Sequence, residues 1–261
     1  MPKLAANLST MFTHLPFAAR YAAAAAAGFA AVECQFPYEV PAEELRASLD
    51  LLGLQQVLLN TPSGQPGERG LAALPGRQQQ FRQAMEQALH YAQVLRCPRI
   101  HVMAGVKPTD ATLAQCLEQF VVNLEWAARR CAAAGVTALI EPINTRIDVP
   151  GYVLDSTALA VQCLQQVGSA QLQLQYDVYH MQIMEGDVAR SIERLLPAIG
   201  HIQIADNPGR HEPGTGEINF PWLLRHIDAL GYGGYIGCEY VPVADTVAGL
   251  NWAREFLPRR H

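Results

Sequence analysis

The sequence predicts an α/β fold, a closed (β/α)8 barrel formed by one domain over residues 1–261. Three observations predict it. A short β-branched or apolar run, a turn and a longer helical pattern recur eight times, at about 33 residues per unit, and such alternation gives parallel strands joined by crossover helices. The 261 residues are what eight such units require, and no Ser/Gly linker or composition break divides them. The turn after the first apolar run reads Ser9-Thr10-Met11-Phe12-Thr13, without the G-x-G-x-x-G that opens a doubly wound sheet.

In chain order, the first unit pairs a strand at 4–8 with a helix at 17–27. The helix runs into an alanine-dominated stretch from Tyr21 to Val32, broken by Gly28 and stopped by Glu33. That stretch is well short of the ~20 residues a bilayer span needs. His14 and Arg20 just upstream also spoil a secretory signal. Alanine is the best helix former, so a helix packed closely on a sheet is expected.

The second unit takes 31–36 and 43–52, and the third takes 55–60 and 77–95. Between the parts of the third lies a Gly- and Pro-rich loop, 61–77, carrying Arg69 and Arg77; loops of this length in compact domains often bind ligands. Units four to eight follow as 99–105 with 113–134, 137–143 with 157–166, 172–177 with 188–196, 200–205 with 221–230, and 235–240 with 246–256. Gly28, Gly53, Gly135, Gly168, Gly200 and Gly231 each follow a helical stretch and are expected as left-handed C-caps.

Half the residues are hydrophobic and only 16% are charged, which excludes a mainly disordered chain. The net charge of −5, with no dense Lys/Arg run, argues against a broad basic face for nucleic acid. Cys34, Cys97, Cys116, Cys131, Cys163 and Cys238 are scattered among apolar neighbours without a Cys-x-x-Cys pair. They read as free buried thiols, and the expected location is the cytoplasm. No membrane contact is expected, and assembly with further copies of the chain is left open.

Strand parity points to the chemistry. One parity carries Leu4, Leu8, Val32, Cys34, Phe36, Ile100, Val102, Ile140, Leu172, Leu174, Ile202, Ile204, Ile236 and Cys238, the face expected beneath the helices. The other carries a polar residue on every strand: Asn7, Glu33, Gln35, Asn60, His101, Glu141, Gln173, Gln175, Asp177, His201, Gln203 and Glu239. Buried polar groups are costly unless paired, so the barrel interior must hold a hydrogen-bond network or a metal and ligand.

Catalytic residues of such barrels project from the C-terminal strand ends. Glu141, Asp177, Gln203 and Glu239 sit there on strands five to eight, and three carboxylates with an amide oxygen call for a hard divalent cation, Mg²⁺ or Mn²⁺ rather than zinc. Ion pairs with arginines at the mouth are the structural alternative. His180 lies three residues past Asp177, placed to contact a substrate oxygen or to serve as a hydrogen-bonded structural residue. The loop 206–219 is rich in charge, Gly and Pro and carries Arg210, which suits a substrate carboxylate unless Glu212 or Glu217 binds it. His101 and His201 share the inward parity and are expected lower in the barrel, as polar core residues.

Several motifs resemble the hydroxypyruvate isomerase family: Glu141-Pro142-Ile143-Asn144-Thr145-Arg146, Gln175-Tyr176-Asp177-Val178-Tyr179-His180, Gly200-His201-Ile202-Gln203-Ile204-Ala205 and Gly237-Cys238-Glu239-Tyr240. Pro208-Gly209-Arg210-His211-Glu212-Pro213, Gly216-Glu217-Ile218-Asn219, His101-Val102-Met103-Ala104-Gly105 and the segment from Gly70 to Arg77 resemble it too, in register from Asn7 to near the C-terminus. The resemblance implies a xylose-isomerase-like TIM barrel holding one divalent ion, most simply Mg²⁺ or Mn²⁺. It implies Glu141 and Glu239 as acid and base, Glu141, Asp177, Gln203 and Glu239 as metal ligands, and His180 and Arg210 as substrate contacts.

The implied reaction interconverts hydroxypyruvate and tartronate semialdehyde through a metal-stabilised enediolate. A sister group, 2-oxo-tetronate isomerase, shares the motifs around Asp177, Gln203, Arg210 and Glu239, while Glu141-Pro-Ile-Asn-Thr-Arg is nearer the hydroxypyruvate group. Ketose 3-epimerases are disfavoured by Gln203, where they carry histidine. A barrel nuclease would need more histidine and a basic groove, and a non-catalytic binding barrel would show no metal dependence.

Overall fold

Alternate strand residues need apolar cover on one face, and in the computed structural model, which describes residues 1–257, a ring of helices provides it. Strands β1 (Lys3–Asn7), β2 (Ala31–Glu33), β3 (Gln55–Asn60), β4 (Arg99–His101), β5 (Thr137–Ile140), β6 (Leu172–Asp177), β7 (Ile199–Ile204) and β8 (Tyr235–Cys238) pair in parallel in chain order. β1 also pairs with β8, which closes the barrel. The helices are α1 (Phe17–Ala26), α2 (Ala42–Leu52), α3 (Gln78–Leu95), α4 (Leu113–Ala134), α5 (Thr157–Val167), α6 (Val178–Met184), α7 (Val188–Leu195) and α8 (Phe220–Ala229). The closed eight-stranded parallel barrel expected from sequence is therefore observed, although α6 and α7 both lie between β6 and β7 and no α-helix follows β8 among the described residues.

Ile100, Ile140, Leu174, Ile202 and Ile236 on the outward strand faces are fully buried against helix residues such as Ala24, Leu45, Ala88 and Ala127. The alanine-rich α1 buries Tyr21, Ala24 and Ala25, and its small side chains let it lie close to the strands. Inside the barrel, Ala5, Ala31 and Val57 form a separate apolar plug. All six cysteines are free and buried. Among the described residues, no helix is long and apolar enough to cross a membrane.

The helix ends obey local chemistry. Thr112 and Gln115 form a reciprocal capping box on α4, Ser156 caps α5, and Gly53, Gly135 and Gly168 take the left-handed C-cap conformation. Gly200 does not. It lies inside β7, where a Cβ would come within 2.5 Å of Gln173 Oε1 and 2.7 Å of Leu139 Cδ2. Its role is close approach within the barrel rather than helix termination.

Other differences from the sequence reading have physical causes. Residues 246–256 form only a 3-10 turn at Ala248–Ala253, since Gly249 and Asn251 are poor helix formers in so short a segment. Residues 258–261 lie outside the described part of the chain. The helix α6 has seven residues, too few for a periodic pattern, and is started by Asp177, whose carboxylate accepts from Tyr179 N at 2.8 Å. Strands β2, β4, β5 and β8 stop short of the expected ends, so Gln35, Glu141 and Glu239 stand in the turns at the barrel mouth. Phe36 leaves the helix-facing layer for the same reason and lines the mouth.

A bulge corrects the parity of β3. Val32 pairs with Gln56 and Glu33 with Leu58, so Val57 is skipped. Gln56 consequently turns outward, its Nε2 lying 3.3 Å from Cys34 Sγ, while Asn60 lines the interior cavity.

Candidate active site

The floor of the site is a polar network centred on Glu33, which is fully buried at the end of β2. Its carboxylate accepts from Asn7 Nδ2 (3.0 Å) and Gln203 Nε2 (2.8 Å) and lies 2.6 Å from His201 Nε2. Gly237 on β8 makes this possible, because a Cβ there would stand 2.3 Å from both Glu33 oxygens. With its nitrogen held by Glu33, Gln203 presents Oε1 to Gln175 Nε2 at 2.6 Å, beside its register partner Asp177.

Above this floor a cavity of about 80 Å³ opens between the strand ends, lined in part by Glu141, Glu239, His180, Arg210, His101 and Arg69. Glu141 and Glu239 are each 4% exposed, and Asp177 is wholly buried just beneath. Burial pushes the Glu141 carboxyl well above the ordinary range, and the neighbouring charges of Glu239 and Asp177 push it further. Asp177 is raised to about 6 by burial, against the pull of Arg210 and the backbone N–H groups of Tyr179 and His180. Glu239 is raised to about 7, again by burial, against Arg210 and with help from Asp177 and Glu33. Gln35 Nε2 donates to Glu239 Oε1 at 2.5 Å.

His180 rises from α6 into this cluster, with Nε2 3.7 Å from Asp177 Oδ2 and 3.9 Å from Glu141 Oε1. Its proton can be placed by following the network. Asn144 Oδ1 accepts from the backbone of Ile147 (3.1 Å) and Asp148 (3.0 Å), so the Asn144 nitrogen is the group facing His180 Nδ1 at 2.8 Å. Nδ1 is then the acceptor and Nε2 carries the hydrogen. Burial, with Arg210 and His101 nearby, holds the ring well below the usual histidine pKa, so it is neutral. His101 is likewise lowered by burial, to about 3, and its Nδ1 lies 3.3 Å from Glu141 Oε2.

Arg210 sits in the loop after β7, in the left-handed region at φ 53°. The loop is held by Asp206, whose carboxylate accepts from the backbone of Asn207, Gly214, Gly216 and Ile218 at 2.8–3.1 Å. Arg210 bonds neither Glu212, which caps Val243 N, nor Glu217, which takes Gln182 and Asn207. Its guanidinium instead lies 3.4 Å from Asp148, 3.4 Å from Glu239 and 4.0 Å from Asp177, over the ring of Tyr179. Burial opposes the charge, but those carboxylates together raise the arginine pKa further.

The residues fit a divalent cation. Glu141, Asp177 and His180 offer atoms that all lie within 4.8 Å of one another, and Glu141 Oε1 and Asp177 Oδ2 are buried with no hydrogen-bond partner among the described residues. Negative oxygens left bare in a dry site are costly, and a cation removes that cost. His180 is the least suited of the three as a ligand, because its inward-facing nitrogen bears the hydrogen. Gln203 and Glu239 are the next oxygen donors, though Gln175 and Gln35 hold their oxygens here.

All six residues singled out from sequence therefore gather at one end of the barrel: Glu141, Glu239, His180 and Arg210 on the cavity wall, Asp177 and Gln203 below it. His201 lies in the floor as expected, whereas His101 reaches the cavity itself. Asn144, Asp148 and Arg69 were not identified as site residues by parity, since all three stand on loops where period-2 alternation does not apply. For Asn144, an Asx turn directly after a strand-end glutamate was the available signal.

Fold and site define a (β/α)8 barrel with an acidic, cation-ready pocket at the C-terminal strand ends. A sequence profile described as xylose isomerase-like TIM barrel matches residues 21–256, and the chain belongs to that family. It is 54% identical to 2-oxo-tetronate isomerase of Cupriavidus necator, covering 99% of this chain and all of that one. It is 42% identical to hydroxypyruvate isomerase of Escherichia coli K12, covering 97% and 98%. Among solved structures, one named AP endonuclease, family 2, from Brucella melitensis superposes with a TM-score of 0.96 at 43% identity, covering 99% of this chain and all of that one.

Proposed function

We propose that this chain is an isomerase that moves the carbonyl of a short 2-oxo-3-hydroxy acid between C2 and C3. Hydroxypyruvate, giving tartronate semialdehyde, is the first substrate we assign. The observation that carries the reading is the pair Glu141 and Glu239, two buried carboxylates of raised pKa on the wall of one cavity. The names of the 54% and 42% identical relatives support it.

The reaction takes a proton from the C3 carbinol carbon and returns one to C2, through an enediolate, while the proton of the C3 hydroxyl passes to the C2 oxygen. An acid and a base are needed at adjacent carbons, and raised carboxyl pKa values let one glutamate hold a proton while the other is ready to accept one. The Nε2–H of His180 points toward the cluster and would donate to a substrate oxygen as it gains charge. Arg210, fixed by Asp148 and Glu239, would orient the substrate and hold Glu239 in place. Glu141, Asp177, Gln203 and Glu239 would hold a divalent ion, Mg²⁺ or Mn²⁺ given oxygen donors, whose charge would balance the two enediolate oxygens. The free cysteines suit a reducing compartment, and we assign the enzyme to the cytoplasm.

A four-carbon acid, 2-oxo-tetronate, is the second reading, favoured by the full-length 54% identity. It places a hydroxymethyl group on C3 and leaves the chemistry unchanged. An NMR assay of both acids with Mn²⁺-loaded protein, with and without chelator, tests the proposal. Isomerisation that stops on chelation is expected, and the ratio of kcat/KM values selects the substrate. Failure to isomerise either acid would overturn it.

A further inference from the structure

The isomerase reading leaves the substrate carboxylate without a clear partner, and the arginines of the site are not equivalent. Arg210 is already committed to Asp148 and Glu239, with Asp177 at 4.0 Å. Four carboxylates, Glu141, Asp177, Glu239 and Asp148, surround that one cation. With a divalent ion bound and one glutamate protonated, Arg210 and the ion do no more than balance the remaining carboxylates, so an organic anion gains from a further positive group at the mouth.

Arg69 is that group by position. It lines the cavity from the long β3–α3 loop and forms no ion pair among the described residues. The carboxylate next to it in sequence, Glu68, is taken by Arg77, which settles which arginine of this loop is available. Its placement is also built rather than incidental. Arg69 holds a left-handed backbone at φ 56°, a strained setting for a side chain with a Cβ. The flanking residues fix it: Val106 N donates to Glu68 O and Gly70 N to Ser63 O, both at 2.8 Å, while a Cβ on Gly70 would stand 2.4 Å from Met103 O.

We infer that Arg69 is the specificity-determining residue that receives the substrate's carboxylate, leaving Arg210 to position Glu239 and the reacting carbons. The inference rests on the isomerase reading. A guanidinium fork matches a carboxylate in two parallel hydrogen bonds, and the exposed position of Arg69 at the mouth lets it meet the anion as it enters.

The test compares wild type with Arg69→Met and Arg69→Lys, using hydroxypyruvate turnover and calorimetric binding of tartronate, an inert dicarboxylate analogue. Losing a charged hydrogen-bonded contact made in ground and transition states alike raises KM and leaves kcat nearly unchanged. Arg69→Met is expected to raise KM and the tartronate Kd about 30-fold. Mn²⁺ affinity should be unchanged, and Arg69→Lys should recover part of the loss. Unchanged tartronate affinity in Arg69→Met overturns the inference, as does an equal loss of Mn²⁺ affinity, which would mark a general structural role. Absence of turnover in wild type would sink the isomerase reading instead, and tartronate affinity would still decide the role of Arg69.

Discussion

The side-chain nitrogen of Asn144 lies 2.8 Å from Nδ1 of His180, and this contact sets which ring nitrogen carries the hydrogen. Two backbone N–H groups hold the Asn144 oxygen, so the amide has one orientation. Asn144→Asp replaces a donor by an acceptor and favours the opposite tautomer. We expect kcat to fall about a hundredfold, in line with loss of a positioned proton donor. Imidazole ¹⁵N shifts would report the tautomer directly; an unchanged spectrum with unchanged kcat would refute the assignment.

The acidic cluster gives a pH dependence with a definite sign. Burial raises Glu239 to about 7 in the fold, while its ordinary value is 4.5. Between those values the folded protein keeps a proton that the unfolded chain has released, so this group's contribution falls as pH rises from 4.5 and is lowest above 7. Glu239→Gln removes the penalty. Without metal, the variant should gain stability over wild type between pH 5 and 8, by on the order of 3 kcal/mol in urea denaturation. A difference that does not vary with pH would contradict the shift.

Gly237 makes room for the Glu33 carboxylate, which Asn7, Gln203 and His201 then hold. Gly237→Ala must displace a locked side chain. We predict a loss of about 2 kcal/mol, typical of overpacking, and weaker metal binding because Gln203 loses its anchor. A melting temperature equal to that of wild type would show that the floor relaxes freely.

Metal should stabilise the fold as well as support chemistry. Buried Asp177 Oδ2 has no hydrogen-bond partner among the described residues, and Mn²⁺ at a hundred times its Kd would add about 2.7 kcal/mol. Asp177→Asn should lower Mn²⁺ affinity at least about tenfold in calorimetry while leaving far-ultraviolet circular dichroism unchanged. Equal affinity in the variant would exclude Asp177 as a ligand.

Much of this was legible in the sequence, for reasons that can be located. Strand periodicity exposed Glu33, Asp177 and Gln203, and the residues that follow β5 and β8 in the same phase, Glu141 and Glu239. Asn60 faces inward because the bulge at Val57 resets the parity along β3. Gly200 reads as a helix terminator in sequence, and only the packing of Gln173 and Leu139 shows why glycine stands there. Arg69, Asn144 and Asp148 depend on loop conformations set by distant contacts, such as Val106 with Glu68, that local pattern does not encode. The same holds for Arg210, whose partners Asp148 and Glu239 are remote in the chain.

The central claim is that Glu141 and Glu239 move the proton between adjacent carbons. Turnover of hydroxypyruvate by Mn²⁺-loaded Glu141→Gln and Glu239→Gln tests it most directly, with folding and metal content checked on the same samples. Each variant is expected to lose about a thousandfold in kcat. Either variant turning over within tenfold of wild type, folded and metal-loaded, would contradict it.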